Sequence, residues 1–419
     1  MTKSRLWLPL SCVPLLGSFA CLPAESPIPD WRTMAEERIE AHRKGDFTLP
    51  NEGPEGAVKI HVELDRHEFA FGTALANHVM RDDHPMREPY LDFVRTYFNT
   101  VVSENEMKWY TIEPERHLRD YRTAERFMDF ALENDMKVRG HTLFWAKEQW
   151  VDDWVKELSD EDLRWHVKTH LDNTVNRFKG RIWAWDVNNE MIAGDFYKNR
   201  LGSEIREYFY RRAQELDPEA TYFVNDYAML ADSSYDNPRF AAYLEQIQNF
   251  LDNDVPVGGI GIQEHQAARF TDSEEGHPRL DPFVIWDRLD RLAEFGLPIH
   301  ITEVSFPTEC PDRRAEELEI FFHVMFAHEA VEAILLWGFW RRAHFLGNQA
   351  PLFGEDFDIL PAGERFIRLM EKDFHTEKEI SLEGHDAPRF RGFYGDYSVR
   401  WLDRDGEVLQ EDKVSFRRE

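Results

Sequence analysis

The chain reads as an α/β protein of the (β/α)8 barrel type, and three observations lead there. Eight short apolar or β-branched runs recur along it, at residues 69–75, 100–103, 137–144, 182–187, 221–224, 257–262, 298–301 and 333–337. Helical patterns fall between them, at 122–134, 161–178, 203–216, 239–251, 282–295 and 314–329, with a closing one at 361–374. Polar and aromatic residues crowd in directly after the apolar runs, where a barrel carries its working loops. Strands of a closed parallel sheet are buried on both faces, so they read as runs and not as alternating patterns. The competing open, doubly wound sheet needs fewer strands and a glycine-rich phosphate turn between strand and helix. Its nearest candidate, Gly258-Gly259-Ile260-Gly261, lies inside a predicted strand, so no nucleotide site is expected.

The flanks come first in chain order. Residues 1–20 carry Lys3 and Arg5, then an apolar stretch broken by Pro9 and Pro14, then Ser18-Phe19-Ala20. That is an export signal and not a membrane span, being too short and twice interrupted. Cys21 follows the small residue, which leaves a lipid anchor open there. The expected location is secreted, periplasmic or at the cell surface. Residues 25–66 hold a helix that ends at Gly45 and a small β-rich element with the alternating run Val58-Lys59-Ile60-His61-Val62-Glu63-Leu64. The barrel is expected over 67–374, and 375–419 return to β-like alternation as a short β extension packed on it.

With only Cys12, Cys21 and Cys310, neither a disulfide framework nor a cysteine-rich metal site is expected. A net charge of −29 disfavours nucleic acid and anionic membranes and favours a neutral partner. Several of the 13 tryptophans fall at strand ends, as platforms for a flat apolar ligand face would. No calcium-loop spacing is visible, so no metal or other cofactor is expected, and a monomer is.

Two strand ends carry the chemistry. The run Trp183-Ala184-Trp185-Asp186-Val187 turns abruptly polar at Asn188-Asn189-Glu190, and Pro298-Ile299-His300-Ile301-Thr302 ends in Glu303. Two glutamates at the ends of two barrel strands point to paired-carboxylate catalysis. The remaining ends carry compatible residues: Glu104, Asn105 and Lys108 after the second strand, His141 and Trp145 after the third, Asn225-Asp226-Tyr227 after the fifth. Gln263-Glu264-His265 follow the sixth and Trp337-Gly338-Phe339-Trp340 the eighth. A lone histidine or tryptophan is ordinarily core, and a lone glutamate a solvated strand end. Seven furnished ends together are not.

These segments resemble the glycoside hydrolase family 10 xylanases: E-N-x-M-K-W at 104–109, G-H-T-L-x-W at 140–145, W-D-V-x-N-E at 185–190, N-D-Y at 225–227, Q-x-H at 263–265, I-T-E at 301–303 and W-G at 337–338. The likeness runs from 69 to 374, and both flanks are similar to the plant-type and environmental bacterial branch. The resemblance implies a TIM barrel and a retaining, endo-acting hydrolase of β-1,4-xylosidic bonds in a polysaccharide, xylan or a related β-glycan. Glu190 would be the general acid/base and Glu303 the nucleophile, with carboxyl groups roughly 5–5.5 Å apart. Asn189 would donate to the sugar 2-hydroxyl and His265 orient Glu303. Glu104, Asn105, Lys108, His141 and Gln263 would grip sugar hydroxyls, Trp145, Trp337 and Trp340 would offer apolar faces, and Tyr227 would lie near the nucleophile.

Three departures leave the glycan open. Family members usually have His after G-H-T-L-x-W and Gln two residues on, where this chain has Ala146-Lys147-Glu148. They often carry Asp two residues after the nucleophile, where Ser305 stands, and the loss of that charge beside His265 is expected to alter the acidic limb of the pH–rate profile. The usual second tryptophan after strand eight is replaced within Arg341-Arg342-Ala343-His344-Phe345. A decorated xylan, another β-glycan and a catalytically silent carbohydrate-binding barrel are the alternatives.

Overall fold

The computed structural model describes residues 30–49, 53–230, 237–265, 281–383 and 387–418. The leader and Cys21 lie outside them. A helix at Trp31–His42 leads into strands β1 (Lys44–Thr48) and β2 (Lys59–His67). Then come β3 (Ala70–Leu75), β4 (Thr100–Ser103), β5 (Lys137–Gly140), β6 (Phe144–Trp145), β7 (Ala184–Asn189), β8 (Thr221–Tyr227), β9 (Gly259–Glu264), β10 (Ile299–Val304) and β11 (Val331–Leu336). After the helix at Pro361–Arg368 the chain ends in β12 (Glu377–Ser381), β13 (Arg389–Phe393), β14 (Gly395–Leu402) and β15 (Val408–Phe416).

Parallel pairing runs β5-β4-β3-β11-β10-β9-β8-β7, and a further β5–β7 pairing closes the ring, with β6 as a short spur on β7. Every residue of β3, β4, β7, β9 and β10 is buried, which is why these strands read as runs in the sequence. Helices at Arg87–Tyr97, Arg122–Glu133, Asp160–Phe178, Glu204–Leu216, Pro238–Asp252, Pro282–Ala293 and Pro311–Phe326 wrap the outside. Their starts obey local chemistry: Ser159, Asn237 and Asp281 cap theirs with side-chain oxygens, and prolines occupy the first turns at Pro238, Pro282 and Pro311. The (β/α)8 barrel is as the sequence predicts.

Three details differ. The apolar run 137–144 is not one strand: β5 stops at Gly140, because Thr142 Oγ1 and Leu143 N both donate to Asp186 O, at 2.7 and 3.0 Å. Several strands run two or three residues past their apolar runs, β8 through Tyr227 and β7 through Asn189, because inward-facing polar residues extend them to the mouth. And Cys310 is disulfide-bonded, where the sequence led to no disulfide framework.

The glycine run 258–261 acquires a packing reason. On β9, a Cβ at Gly259 would come within 2.2 Å of the Phe223 ring, and one at Gly261 within 2.6 Å of Asn225 Oδ1. Glycine there makes room for a side chain that the site needs.

The two flanks interlock. β2 lies between β12 and β14, antiparallel to both, with β15 beyond, while β1 pairs with β13. Arg43, buried at the end of the first helix, donates to Phe326 O at 2.7 Å, His328 O at 2.5 Å and Val331 O at 2.7 Å. Val331 opens β11, so this flank unit fastens to the amino ends of the strands and leaves the carboxyl ends free.

Candidate active site

At the carboxyl ends of β7 and β10 the two glutamates are buried, and Asn225 at the end of β8 ties them together. Its backbone carbonyl accepts from Glu190 N at 2.9 Å, and its side-chain Nδ2 lies 3.4 Å from Glu303 Oε1 and 3.1 Å from Asn189 Oδ1. Thr302 Oγ1 donates to Asn225 Oδ1 at 2.8 Å and so fixes which way the amide faces. Gln263 Nε2 donates to Asn189 Oδ1 at 3.0 Å. With its oxygen held by two donors, Asn189 must present Nδ2 to the mouth, where that atom is buried without a partner. Glu190 itself stands at φ 62°, in the left-handed region. For a non-glycine residue that costs about 1–3 kcal/mol, a strain that surrounding hydrogen bonds must hold in place.

Beneath the carboxylates lies a layer of buried charge. Arg139 grips Asp186 with both Nε, at 3.1 Å, and Nη2, and places Nη1 3.0 Å from His300 Nδ1. Burial, with Arg139 beside it, drives the His300 ring well below its ordinary value, so its nitrogen accepts. His141 Nδ1 lies 2.9 Å from Asp186 Oδ2 and 3.9 Å from Glu303 Oε1. Burial would raise the Asp186 carboxyl, but Arg139 and His141 outweigh it and hold it below the ordinary carboxylate value. The same balance acts on Glu303: burial pushes up, His141 and the hydrogen bond from His265 Nε2 to Oε2 at 3.1 Å pull further down. An ionised carboxylate with a histidine donor on one oxygen and an amide donor on the other is built to act as a nucleophile.

Residues 62–366 match the family described as Glycosyl hydrolase family 10. The chain belongs to this family. It is 37% identical over 374 residues to an anti-sigma-I factor of Acetivibrio thermocellus, covering 88% of this chain and 46% of that protein. It is 34% identical over 361 residues to endo-1,4-beta-xylanase 1 of Arabidopsis thaliana, covering 85% of this chain and 36% of that one. The chain thus spans less than half the length of these curated relatives. Among solved structures, xylanase 10B from Thermotoga petrophila RKU-1 in complex with xylobiose superposes with a TM-score of 0.63 at 30% identity, covering 73% of this chain and 95% of that chain.

The rest of the family 10 cleft follows. Lys108 is buried, its Nζ 3.5 Å from Asn105 Oδ1 and 4.6 Å over the Trp145 ring. Burial lowers its ammonium from the ordinary value against the pull of Glu303, Glu104 and Glu190. Asn105 Oδ1 also accepts from Tyr110 at 2.8 Å. Burial pushes the Glu104 carboxyl up to about 7, with Lys108 opposing and Glu106 adding to the rise. Gln263 Oε1 and Trp145 Nε1, like Asn189 Nδ2, are buried and without partners, three polar atoms left over for a ligand. Among the described residues no group of three or more His, Cys, Asp or Glu is arranged to hold a metal ion.

Two of the expected aromatic platforms are not open faces. Trp145 carries the Lys108 ammonium 4.6 Å over its ring and is stacked by Trp150 at 4.8 Å and 13°. Trp340 is only 1% exposed, packed against Tyr90 and Phe357, with Nε1 donating to Glu355 O at 3.3 Å. The chain after β11 turns this ring into the wall. Trp337 meets His141 edge to face at 5.1 Å and forms the cleft floor. Phe345, where the second tryptophan is usual, is 52% exposed and meets His265 at 5.1 Å. Ser305 Oγ lies 3.5 Å from His265 Nδ1, filling the place of the usual aspartate. Tyr227 carries Lys147 Nζ at 4.6 Å and Arg239 Cζ at 3.9 Å over its ring.

The site also holds residues to which the sequence reading gave no role: Asn225, Thr302, Asp186 and Arg139. The signal for them was a polar residue inside an otherwise apolar strand, but polarity does not say which partner it has.

Proposed function

We propose that this protein is a retaining, endo-acting glycoside hydrolase that cleaves β-1,4-xylosidic bonds in xylan. The observation that carries the reading is the pair Glu190 and Glu303 joined through Asn225, with Asn189 Nδ2 unpartnered beside them. Membership of family 10 and the xylanase names of its relatives support it.

In the first step Glu303 attacks the anomeric carbon. The bond to the glycosidic oxygen breaks, and that oxygen takes the proton of Glu190 and leaves. In the second, the Glu190 carboxylate takes a proton from water, whose oxygen displaces Glu303 from the anomeric carbon and restores its carboxylate. His265 steadies the nucleophile, and Asn189 donates to the 2-hydroxyl as charge develops. Glu104, Asn105, Lys108, His141 and Gln263 bind the sugars on the non-reducing side of the break, with Trp337 beneath them and Tyr227 at the wall.

The leader at residues 1–20 supports export of the chain. Release of reducing sugar from xylan by the wild type, and none by Glu303→Ala, is the expected result. Proton NMR of the fresh product should show the β-anomer first, as retention requires. A second reading, a decorated xylan or another β-glycan, is favoured by the exposed Phe345 and by Ala146 and Ser305, which reshape the cleft. A polysaccharide panel with product analysis decides between these. Binding of a glycan with no cleavage of any would refute hydrolysis and leave a silent barrel.

A further inference from the structure

Among the described residues Lys147 is the one basic residue that touches the carboxylate of Glu190, and it occupies the segment that departs from the family pattern. Its Nζ lies 3.0 Å from Glu190 Oε2. Its ammonium lies 4.6 Å over the Tyr227 ring, opposite the loop that follows Glu190. That loop is itself fixed, since Ile192 N donates to Asp226 Oδ2 at 2.7 Å and Phe196 N to Ala146 O at 2.8 Å. The Lys147 side chain is 24% exposed and that of Glu190 only 9%, so the pair is screened from bulk water more than a surface pair would be.

We propose that Lys147 is a positioning residue for the proton-transfer group: it holds the Glu190 carboxylate against the β8 wall, its ammonium the counter-charge 3.0 Å from Oε2. The inference rests on the role given to Glu190 above. An ammonium counter-charge at that distance serves the second step, in which Glu190 acts as a base, more than the first. The other groups that face Glu190 are Lys108 from the loop after β4, Asp226 and Tyr227 at the end of β8, and Glu303 on β10. Asp226 is committed to Ile192 N, Tyr227 N and Arg239, and Lys108 to Asn105 and the Trp145 face. None of them matches the 3.0 Å of Lys147.

The test compares wild type with Lys147→Met and Lys147→Arg in two measurements. The first is kcat/KM on xylan across pH, where Lys147→Met should move the basic limb up by about one pH unit and Lys147→Arg should restore it. The second needs no turnover: in protein labelled with carboxyl-13C glutamate, the Glu190 resonance is identified by its loss in Glu190→Gln, and its titration should move up by about the same amount in Lys147→Met. A Glu190 titration that is the same in wild type and Lys147→Met, with both folded, overturns the proposal. A titration that moves in a protein without activity on any β-glycan would refute the hydrolase reading and leave the pairing standing.

Discussion

Replacing Asn225 by alanine tests whether the two carboxylates are held as one unit. The side-chain amide accepts from Thr302 Oγ1 at 2.8 Å and donates to Asn189 Oδ1 at 3.1 Å and Glu303 Oε1 at 3.4 Å. Each partner keeps one other contact: Thr302 with Ile262 O at 3.2 Å, Asn189 with Gln263 at 3.0 Å, Glu303 with His265 at 3.1 Å. Only Glu303 Oε1 loses its hydrogen-bond donor, so the loss of stability is that of one buried hydrogen bond with a small void, about 2–3 kcal/mol. The kinetic effect is larger in proportion. Asn189 is left with a single donor on its oxygen, so Nδ2 is no longer aimed, and Glu303 loses a donor that favours its charged form. A drop in kcat/KM on xylan of about 10- to 100-fold follows, corresponding to roughly 1.4–2.8 kcal/mol at the transition state. The sign of the pH effect is fixed. A donor to the ionised form holds a carboxyl down, so its removal lets Glu303 rise and moves the acidic limb to higher pH. Urea denaturation and the kcat/KM profile measure both quantities. A variant that folds with wild-type kcat/KM and an unmoved acidic limb would show that Asn225 is only a structural strut.

Three further outcomes are expected. Asp186→Asn leaves Arg139 buried without its counter-charge and should cost about 3–5 kcal/mol in chemical denaturation. Because the Asp186 carboxyl is held below its ordinary value, its contribution is present above that value and fades as pH falls through the lowered one, so the variant should lose less stability in acid than wild type; equal acid sensitivity would refute the assignment. Glu104 behaves oppositely: raised to about 7, its contribution is full below the ordinary carboxylate value and is lost as pH rises through about 7. Glu104→Gln should therefore flatten the stability–pH curve over that interval, and an unchanged slope in thermal melts would count against burial as the cause. Phe345→Ala should raise KM for xylan about five-fold with little change in kcat, as loss of about 1 kcal/mol of ring contact implies. A fall in kcat with KM unmoved would mean that Phe345 acts through His265 instead.

How legible the site was in the sequence differs from residue to residue. Glu190, Asn189, Glu303 and His265 could be found because they end apolar runs within compact motifs. Trp340 could not be judged, because exposure is decided by Tyr90 and Phe357, which come from distant parts of the chain. Trp145 reads the same in sequence whether its ring is open or covered, and it is Lys108 and Trp150 that lie against it. Lys147 appeared only as a departure from a pattern, and its meaning came from the distance to Glu190. The flanks gave their β character through alternation but not their pairing, since β2 finds partners more than 300 residues away.

The sequence by itself determined the eightfold alternation, the buried strands and the two strand-end glutamates, because burial on both faces and strand-end polarity are written in local composition. Only the tertiary structure decided what surrounds those glutamates. Closing the ring brings the ends of β4, β5, β7, β8, β9 and β10 to one mouth, and there the amide of Asn225, the charge layer of Arg139, Asp186 and His141, and the ammonium of Lys147 meet. Hydrogen bonds and Coulomb interactions act over a few ångströms of space whatever the separation along the chain, so the electrostatics of the site exist only once the barrel has closed.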